Sequence, residues 1–295
     1  MVLMQRASAE QPQKEAMPSG AMPPFTLQAD LFKNPTYTDN FLRQQLSNKD
    51  CKKLAALHNE RLNKFIAENI ALCKPEKAII CSDAQEDRQL IRAEALKNRE
   101  ERRLAMRAHT LHFDSPEDQG RATKDTFLLV KKGEELPGLN CKEQSQGKEE
   151  MLSELNGIMA GRTMYVKFHV LGPVGCPVAI PAVQITDSAY VAHNANLLYR
   201  QGYEQFKLLG KDSAFFAGVH SAGELNEQGV TKNISRRKIF IDISEGVVYS
   251  ANTQYAGNSL AFKKLFLRLS IKKASDELNS KKKDWLSEHM FLGCV

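Results

Sequence analysis

Four groups of residues in this sequence could do chemistry: Tyr255-Ala256-Gly257-Asn258-Ser259, the pair Lys263-Lys264, His289, and Arg121. The first reads as a turn from a strand into a helix. Gly257 lets the backbone come close to a ligand, and Asn258 or Ser259 can cap the helix that follows. A helix N-terminus offers free N–H groups and the positive dipole end, which suits a carboxylate or a phosphate. Lys263-Lys264 falls one turn into that helix. A lysine there lies beside another cation and a helix N-terminus, both of which disfavour the ammonium relative to its free pKa of about 10.4. His289, in Trp285-Leu286-Ser287-Glu288-His289-Met290, supplies an imidazole. Arg121, in Asp118-Gln119-Gly120-Arg121, carries a guanidinium that can grip a carboxylate through two parallel bonds. On residue type and spacing alone, each group also has a bland reading: a strand–helix turn, a pair of solvated charges, a structural histidine on a helix, a surface arginine.

The elements that must position these residues can be read from periodicity and punctuation. Thr38 and Asp39 predict a cap for a short helix over Asn40–Leu46. After Asp50, apolar residues from Leu54 to Cys73 recur at helical spacing, and Lys74-Pro75 ends that helix. Ala78–Ser82 reads as a buried strand, Gln85–Arg107 as a long charged helix, and Phe127–Val130 as a compact strand. Lys131–Gly147 is polar and loop-like, and Lys148–Met159 is helical. Strands are expected over Thr163–Val170, Ala182–Ile185, Ile239–Ile243 and Val247–Ser250, with Glu245-Gly246 as a hairpin turn. Asn194–Tyr203 and Ser259–Leu278 are the remaining helices. The fold class expected from this mixture is α/β (α+β), a mixed sheet with flanking helices.

Composition narrows the function classes. The chain has 295 residues, a net charge of +6 and the apolar and charged fractions of an ordinary globular protein. No run of about 18 apolar residues is present, so no transmembrane helix is expected. The first 35 residues, rich in Gln, Ala, Pro and Ser, read as a disordered tail without the apolar stretch of a secretory signal. The six cysteines lack CxxC spacing, which argues against a zinc or disulfide framework and for a reducing, cytoplasmic compartment. Arg99, Arg102, Arg103 and Lys281-Lys282-Lys283 are read as solvated charge; no aromatic–basic stacking motif points to nucleic acid.

Several segments occur together in order: LCKPEKAIICSD (Leu72–Asp83), SPEDQGR (Ser115–Arg121), GRTMYV (Gly161–Val166), GPVGCP (Gly172–Pro177), TDSAY (Thr186–Tyr190), GVHSAG (Gly218–Gly223), YAGNS, the lysine pair and WLSEHM. In this order and spacing they resemble the N-terminal, substrate-binding part of the GTP-type phosphoenolpyruvate carboxykinase family, from about Lys64 to Val295. The resemblance implies decarboxylation of oxaloacetate and phosphorylation of the resulting enolate to phosphoenolpyruvate, in gluconeogenesis or anaplerosis. It implies GTP as co-substrate and Mn2+ or Mg2+ as the metal. It also assigns roles. Arg121 and Tyr255, Ala256, Gly257 and Asn258 would hold substrate, Lys263 would assist the reacting centre, and Lys264 and His289 would bind the metal. The family's third metal ligand is a carboxylate beyond residue 295. The division expected is a tail (1–35), a divergent helical region (36–110) and the substrate-binding domain (111–295), with the nucleotide-binding domain outside this chain.

The sequence also departs from the family pattern. Ala256 stands where glycine is usual, and Leu225–Arg237 replaces a Trp-Pro-Cys-Asn-Pro stretch. Lys167 and His169 put polar side chains into the strand after GRTMYV, and Leu278–Lys283 reads as an extra loop. These departures keep open a pyrophosphate-using relative. From a different class, a non-catalytic organic-acid-binding fragment also stays open. No G-x-x-x-x-G-K-[ST] loop occurs, so this chain by itself is expected to be inactive, with the missing C-terminal half as its partner. The small-molecule ligands expected are oxaloacetate and phosphoenolpyruvate.

Overall fold

The computed structural model of the chain describes residues 29–118, 122–175, 179–254, 285–288 and 291–294. Three helices come first: α1 (Pro35–Gln45), α2 (Asn48–Ala55) and α3 (Glu60–Cys73). The cap of α1 is Asn34, whose Oδ1 accepts from the Thr36 N–H at 3.0 Å. The expected cap Thr38 is instead buried inside the helix, its hydroxyl donating to the Phe32 carbonyl. The single helix expected after Asp50 is broken in two. His58 takes a left-handed φ of 49°, and Asn59 then restarts the helix, its Oδ1 accepting from Leu62 N–H at 2.8 Å. Within α3 the periodic residues Leu62, Ile66, Ile70 and Cys73 are buried. Lys74, with φ 52°, ends α3 just before Pro75.

Strand β1 (Lys77–Ile80) leads into α4 (Gln85–Lys97). This helix stops ten residues short of Arg107. Arg99 turns to φ 61°, and Arg102–Arg103 (β2) pairs with Thr110–Leu111 (β3) as a small hairpin. Glu100 is thereby drawn inward, to a use described below. The chain continues through β4 (Thr126–Val130), β5 (Cys141–Glu143), α5 (Gln144–Leu155), β6 (Thr163–Leu171) and β7 (Ile180–Thr186). Next are α6 (Ala189–Leu198), β8 (Arg200–Gln201), α7 (Tyr203–Lys207), β9 (Phe216–Ser221), β10 (Lys238–Asp242) and β11 (Val247–Ala251). The helix expected over Asn194–Tyr203 is therefore an earlier helix, a two-residue strand and the start of another. The break falls where Tyr199 leaves helical φ/ψ and Arg200 pairs with Val170. Strands β5 and β9 were not expected.

These strands form one mixed sheet in the order β1-β6-β7-β9-β11-β10-β4-β5, with β8 also on β6. The expected α/β class with a mixed sheet and flanking helices is what forms. Strands β7, β9 and β11 run parallel, while β6 and β10 run against them. The larger core lies on the face carrying Met164, Val166, Phe168, Ile185, Val219 and Phe240, together with residues of α1, α2, α3 and α5. On the other face, α4 and α6 pack Ile91, Ala95, Ala189 and Ala192 against Ile79, Cys81 and Tyr165. Glu245-Gly246 closes the β10–β11 hairpin with Gly246 at φ 68°, as its type predicts.

Residues 285–288 and 291–294 form a separate antiparallel pair, Trp285 opposite Cys294 and Glu288 opposite Phe291. Trp285–Glu288, the described part of WLSEHM, is thus a strand and not the helix of the bland reading of His289.

Candidate functional site

Parallel strands that end together make an edge where loops can gather around a ligand. Here β7, β9 and β11 end at Thr186, Ser221 and Ala251, while β6, β10 and β4 begin at the same edge. One row of paired residues crosses the sheet there: Tyr165, Thr186, His220, Ser250, Ile239 and Thr126. Just beyond this row lies a buried polar network, built from TDSAY, GVHSAG, Thr253, Gln254 and Asp118.

His220 stands at its centre, 5% exposed. Its Nε2 donates to the Thr253 carbonyl at 2.9 Å, which leaves Nδ1 as the acceptor for the Thr186 hydroxyl at 2.7 Å. Burial pushes its pKa below the ordinary histidine value, so the neutral ring fits both bonds. Thr186 Oγ1 accepts in turn from the Ser188 N–H at 3.1 Å. On the far side, the Thr253 hydroxyl donates to Asp118 Oδ1 at 2.7 Å, and the Gln254 N–H donates to Asp118 Oδ2 at 2.6 Å. Arg237 reaches the same Oδ1 at 3.2 Å and also pairs with Asp125 at 2.8 Å. Burial holds the Asp118 carboxyl above its usual range, against the opposing pull of these donors. One chain of hydrogen bonds therefore joins residues 118, 186, 220 and 253, which are far apart in sequence.

Asp187 forms the second part. Its side chain is fully buried. It forms an ion pair with Arg162 at 3.0 Å and accepts from the Ser221 hydroxyl at 2.6 Å and from the Ala222 N–H at 2.9 Å. Arg162, the arginine of GRTMYV, also donates to the carbonyls of Asp187 and Gly223. Gly223 sits at φ 66°, and a Cβ there would lie 2.5 Å from Asn252 Oδ1. A side chain there would be strained and would have to displace the Asn252 side chain, which favours glycine as the last residue of GVHSAG.

A third part fixes α6. Ser188 is its cap, accepting from the Val191 N–H at 3.1 Å. The Glu100 carboxylate accepts from the Ala189 and Tyr190 N–H groups at 3.1 and 3.2 Å and from the Ser188 hydroxyl. A carboxylate at a helix N-terminus is favoured by the free N–H groups and the dipole. His112 stacks on Tyr190 at 3.7 Å between centroids, and its Nδ1 faces the Glu100 carbonyl.

The residues expected from the sequence, Arg121, Tyr255, Ala256, Gly257, Asn258, Lys263, Lys264 and His289, all lie outside the described residues. The described residues that immediately precede two of these segments meet: Asp118 is bonded to Thr253 and Gln254. Sequence reasoning gave no role to Glu100, Asp118, Arg162, Asp187, His220 or Thr253. The signal available was the presence of TDSAY and GVHSAG among the matched segments, with paired polar residues in each.

The expectation of no transmembrane span concerns helices, and no helix among the described residues is long and apolar enough to cross a membrane. Comparison with known proteins gives a match to the phosphoenolpyruvate carboxykinase N-terminal domain over residues 64–275. The chain is 47% identical over 251 residues to a phosphoenolpyruvate carboxykinase (GTP) of Pyrococcus horikoshii, covering 85% of this chain and 40% of that protein. It is 43% identical over 251 residues to the protein of the same name from Saccharolobus solfataricus, covering 85% of this chain and 39% of that one. With the one from Treponema pallidum the identity is 30% over 250 residues, 81% of this chain and 40% of that protein. The chain thus spans about 40% of the length of the curated relatives it matches.

Proposed function

The chain belongs to the phosphoenolpyruvate carboxykinase family, whose N-terminal domain it contains, and we propose that it forms the substrate-binding part of an enzyme converting oxaloacetate to phosphoenolpyruvate. The observation that carries this reading is the junction of Asp118 with Thr253 and Gln254. Arg121 follows Asp118 by three residues, so it starts within about 11 Å of that junction. Tyr255 follows Gln254 directly. The segments that carry an arginine for a carboxylate and a glycine for close approach to the rest of a dianion are therefore tied together where they begin. Arg121 and Tyr255, Ala256, Gly257 and Asn258 would bind and orient oxaloacetate. Lys263 would add positive charge where the reacting oxygens develop negative charge.

GTP is the proposed phosphoryl donor, because the relatives above are named for it; the pyrophosphate alternative has no such support. A metal fits the donor chemistry of the chain. Lys264 as a neutral amine and His289 as an imidazole would hold a borderline divalent ion such as Mn2+. When bound, it would supply Lewis-acid stabilisation of negative charge on the substrate. Residues 111–295 are proposed as the substrate-binding unit, 36–110 as the helical region joined to it through β1, and the cytoplasm as the compartment.

The test is Arg121→Ala in the full-length enzyme. Losing a charge-assisted contact to the carboxylate should weaken oxaloacetate and phosphoenolpyruvate binding by roughly 1.5–3 kcal/mol, with the unfolding midpoint unchanged. Unaltered affinity for both ligands would remove Arg121 from the site. For the metal, Lys264→Arg keeps the charge but has no lone pair to give. Manganese titration should show it nearly as damaging as His289→Ala. Wild-type manganese affinity in the arginine variant would return Lys264 to the solvent-facing reading.

A further inference from the structure

Lys167 and His169, the two polar residues in the strand after GRTMYV, are 1% and 2% exposed. They lie two residues apart on one face of β6, opposite to Phe168 in the large core. They stand about 17 and 23 Å along the strand from Arg162, clear of the polar network at the sheet edge. Lys167 Nζ donates to Asn196 Oδ1 on α6 and, at 3.3 Å, to Gln201 Oε1 on β8. Burial holds its pKa below the ordinary lysine value; among the described residues no carboxylate pairs with it, and Cys81, Asp83, Asp87 and Arg88 act on it only at longer range. A buried charge without a counter-ion is costly.

The groups around it are short of partners too. Asn196 Nδ2 and Gln201 Nε2 are buried with no hydrogen-bond partner, and so is His169 Nδ1. His169 Nε2 faces Gln184 Oε1 at 3.3 Å, which puts the proton on Nε2 and leaves Nδ1 a bare acceptor. Gln201 pairs directly with His169 across β6 and β8, so these groups form one cluster. Burial, reinforced by the Lys167 charge, pushes the His169 pKa down to about 3, so the ring is neutral.

The cluster therefore has a surplus of N–H donors, a cation without an anion and one acceptor without a donor. Water brings as many donors as acceptors and no charge. A halide has no proton for His169. A small oxyanion bearing one hydroxyl meets all three needs: its oxygens accept from Lys167, Asn196 and Gln201, and its hydroxyl donates to His169. We propose that Lys167, His169, Asn196 and Gln201 form a binding site for a small hydroxylated oxyanion, of which bicarbonate is the smallest. Asn196 and Gln201, both half-buried, are its entrance from solvent. The site does not depend on the catalytic reading above.

The experiment is thermal unfolding of the full-length protein in bicarbonate, chloride and inorganic phosphate at equal pH and ionic strength, with diffraction from crystals grown in bicarbonate. Bicarbonate should raise the midpoint more than chloride does, and planar density should lie between Lys167 Nζ, the two amide nitrogens and His169 Nδ1. Lys167→Met should abolish the rise. If that variant does not fold, Asn196→Asp decides: its carboxylate replaces the anion beside Lys167, so the variant should be insensitive to bicarbonate. His169→Phe should erase the preference of bicarbonate over chloride. Only water in the density, equal shifts with chloride and bicarbonate, or a bicarbonate response kept in Asn196→Asp would each overturn the proposal.

Discussion

Asp187→Ala in the full-length protein is expected to lose about 3–5 kcal/mol of stability, the cost of removing one member of a buried ion pair. The carboxylate is the one acid paired with Arg162 among the described residues. Without it the guanidinium keeps two carbonyls, of Asp187 and Gly223, and no counter-charge. The Ser221 hydroxyl and the Ala222 N–H lose their acceptor as well. Asp187→Asn keeps the shape and one oxygen, so it should cost less, about 1.5–3 kcal/mol for hydrogen bonds that lose their charge assistance. A second change separates the ion pair from the packing. Adding Arg162→Met to Asp187→Ala removes the uncompensated cation, so the double variant should be more stable than the two single losses sum to. Denaturant midpoints of the four proteins measure this. Strict additivity would mean that Arg162 and Asp187 do not act as a pair.

The sheet was legible where local and global signals agree. Helix α3 announces itself through Leu62, Ile66, Ile70 and Cys73 and stops at a proline. The β10–β11 hairpin does so through two β-branched runs around Glu245-Gly246. Strand β9 was not legible: Phe216–Ser221 contains Gly218, His220 and Ser221, and lies between β7 and β11, so its polar residues are satisfied by distant partners. The expected helix through Arg107 failed for the opposite reason. Its charged run looks helical locally, yet Glu100 is needed at the N-terminus of α6, about 90 residues on. The candidate site divides in the same way. Residue types and motif order singled out Arg121, Tyr255–Asn258, Lys263, Lys264 and His289. The network at the sheet edge could not be read, because Thr186, His220, Thr253 and Asp118 are joined by sheet register and tertiary contact, which no spacing along the chain encodes.

That network leads to an effect on function larger than its effect on stability. Asp118→Ala removes the acceptor of the Thr253 hydroxyl and the Gln254 N–H, both buried. Each group that loses this acceptor costs roughly 1–3 kcal/mol, so a loss of about 2–6 kcal/mol is expected in unfolding. Arg237 adds little to this, because Asp125 still holds it at 2.8 Å. Asp118 also ties the start of the Arg121 loop to the start of the Tyr255–Asn258 segment. A misplacement of about 1 Å between groups that orient one substrate can cost on the order of 100-fold in rate. In the full-length enzyme, Asp118→Asn should keep one acceptor and most of the stability while lowering kcat/KM for oxaloacetate well beyond what the unfolded fraction explains. Thr253→Val removes a single bond of the same junction. It should fall between wild type and Asp118→Ala in both stability and kcat/KM. The three variants are compared with wild type by denaturation midpoint and by steady-state kinetics on the same preparations. A kcat/KM that tracks only the folded fraction would make Asp118 a structural carboxylate and break the link between this junction and the substrate site.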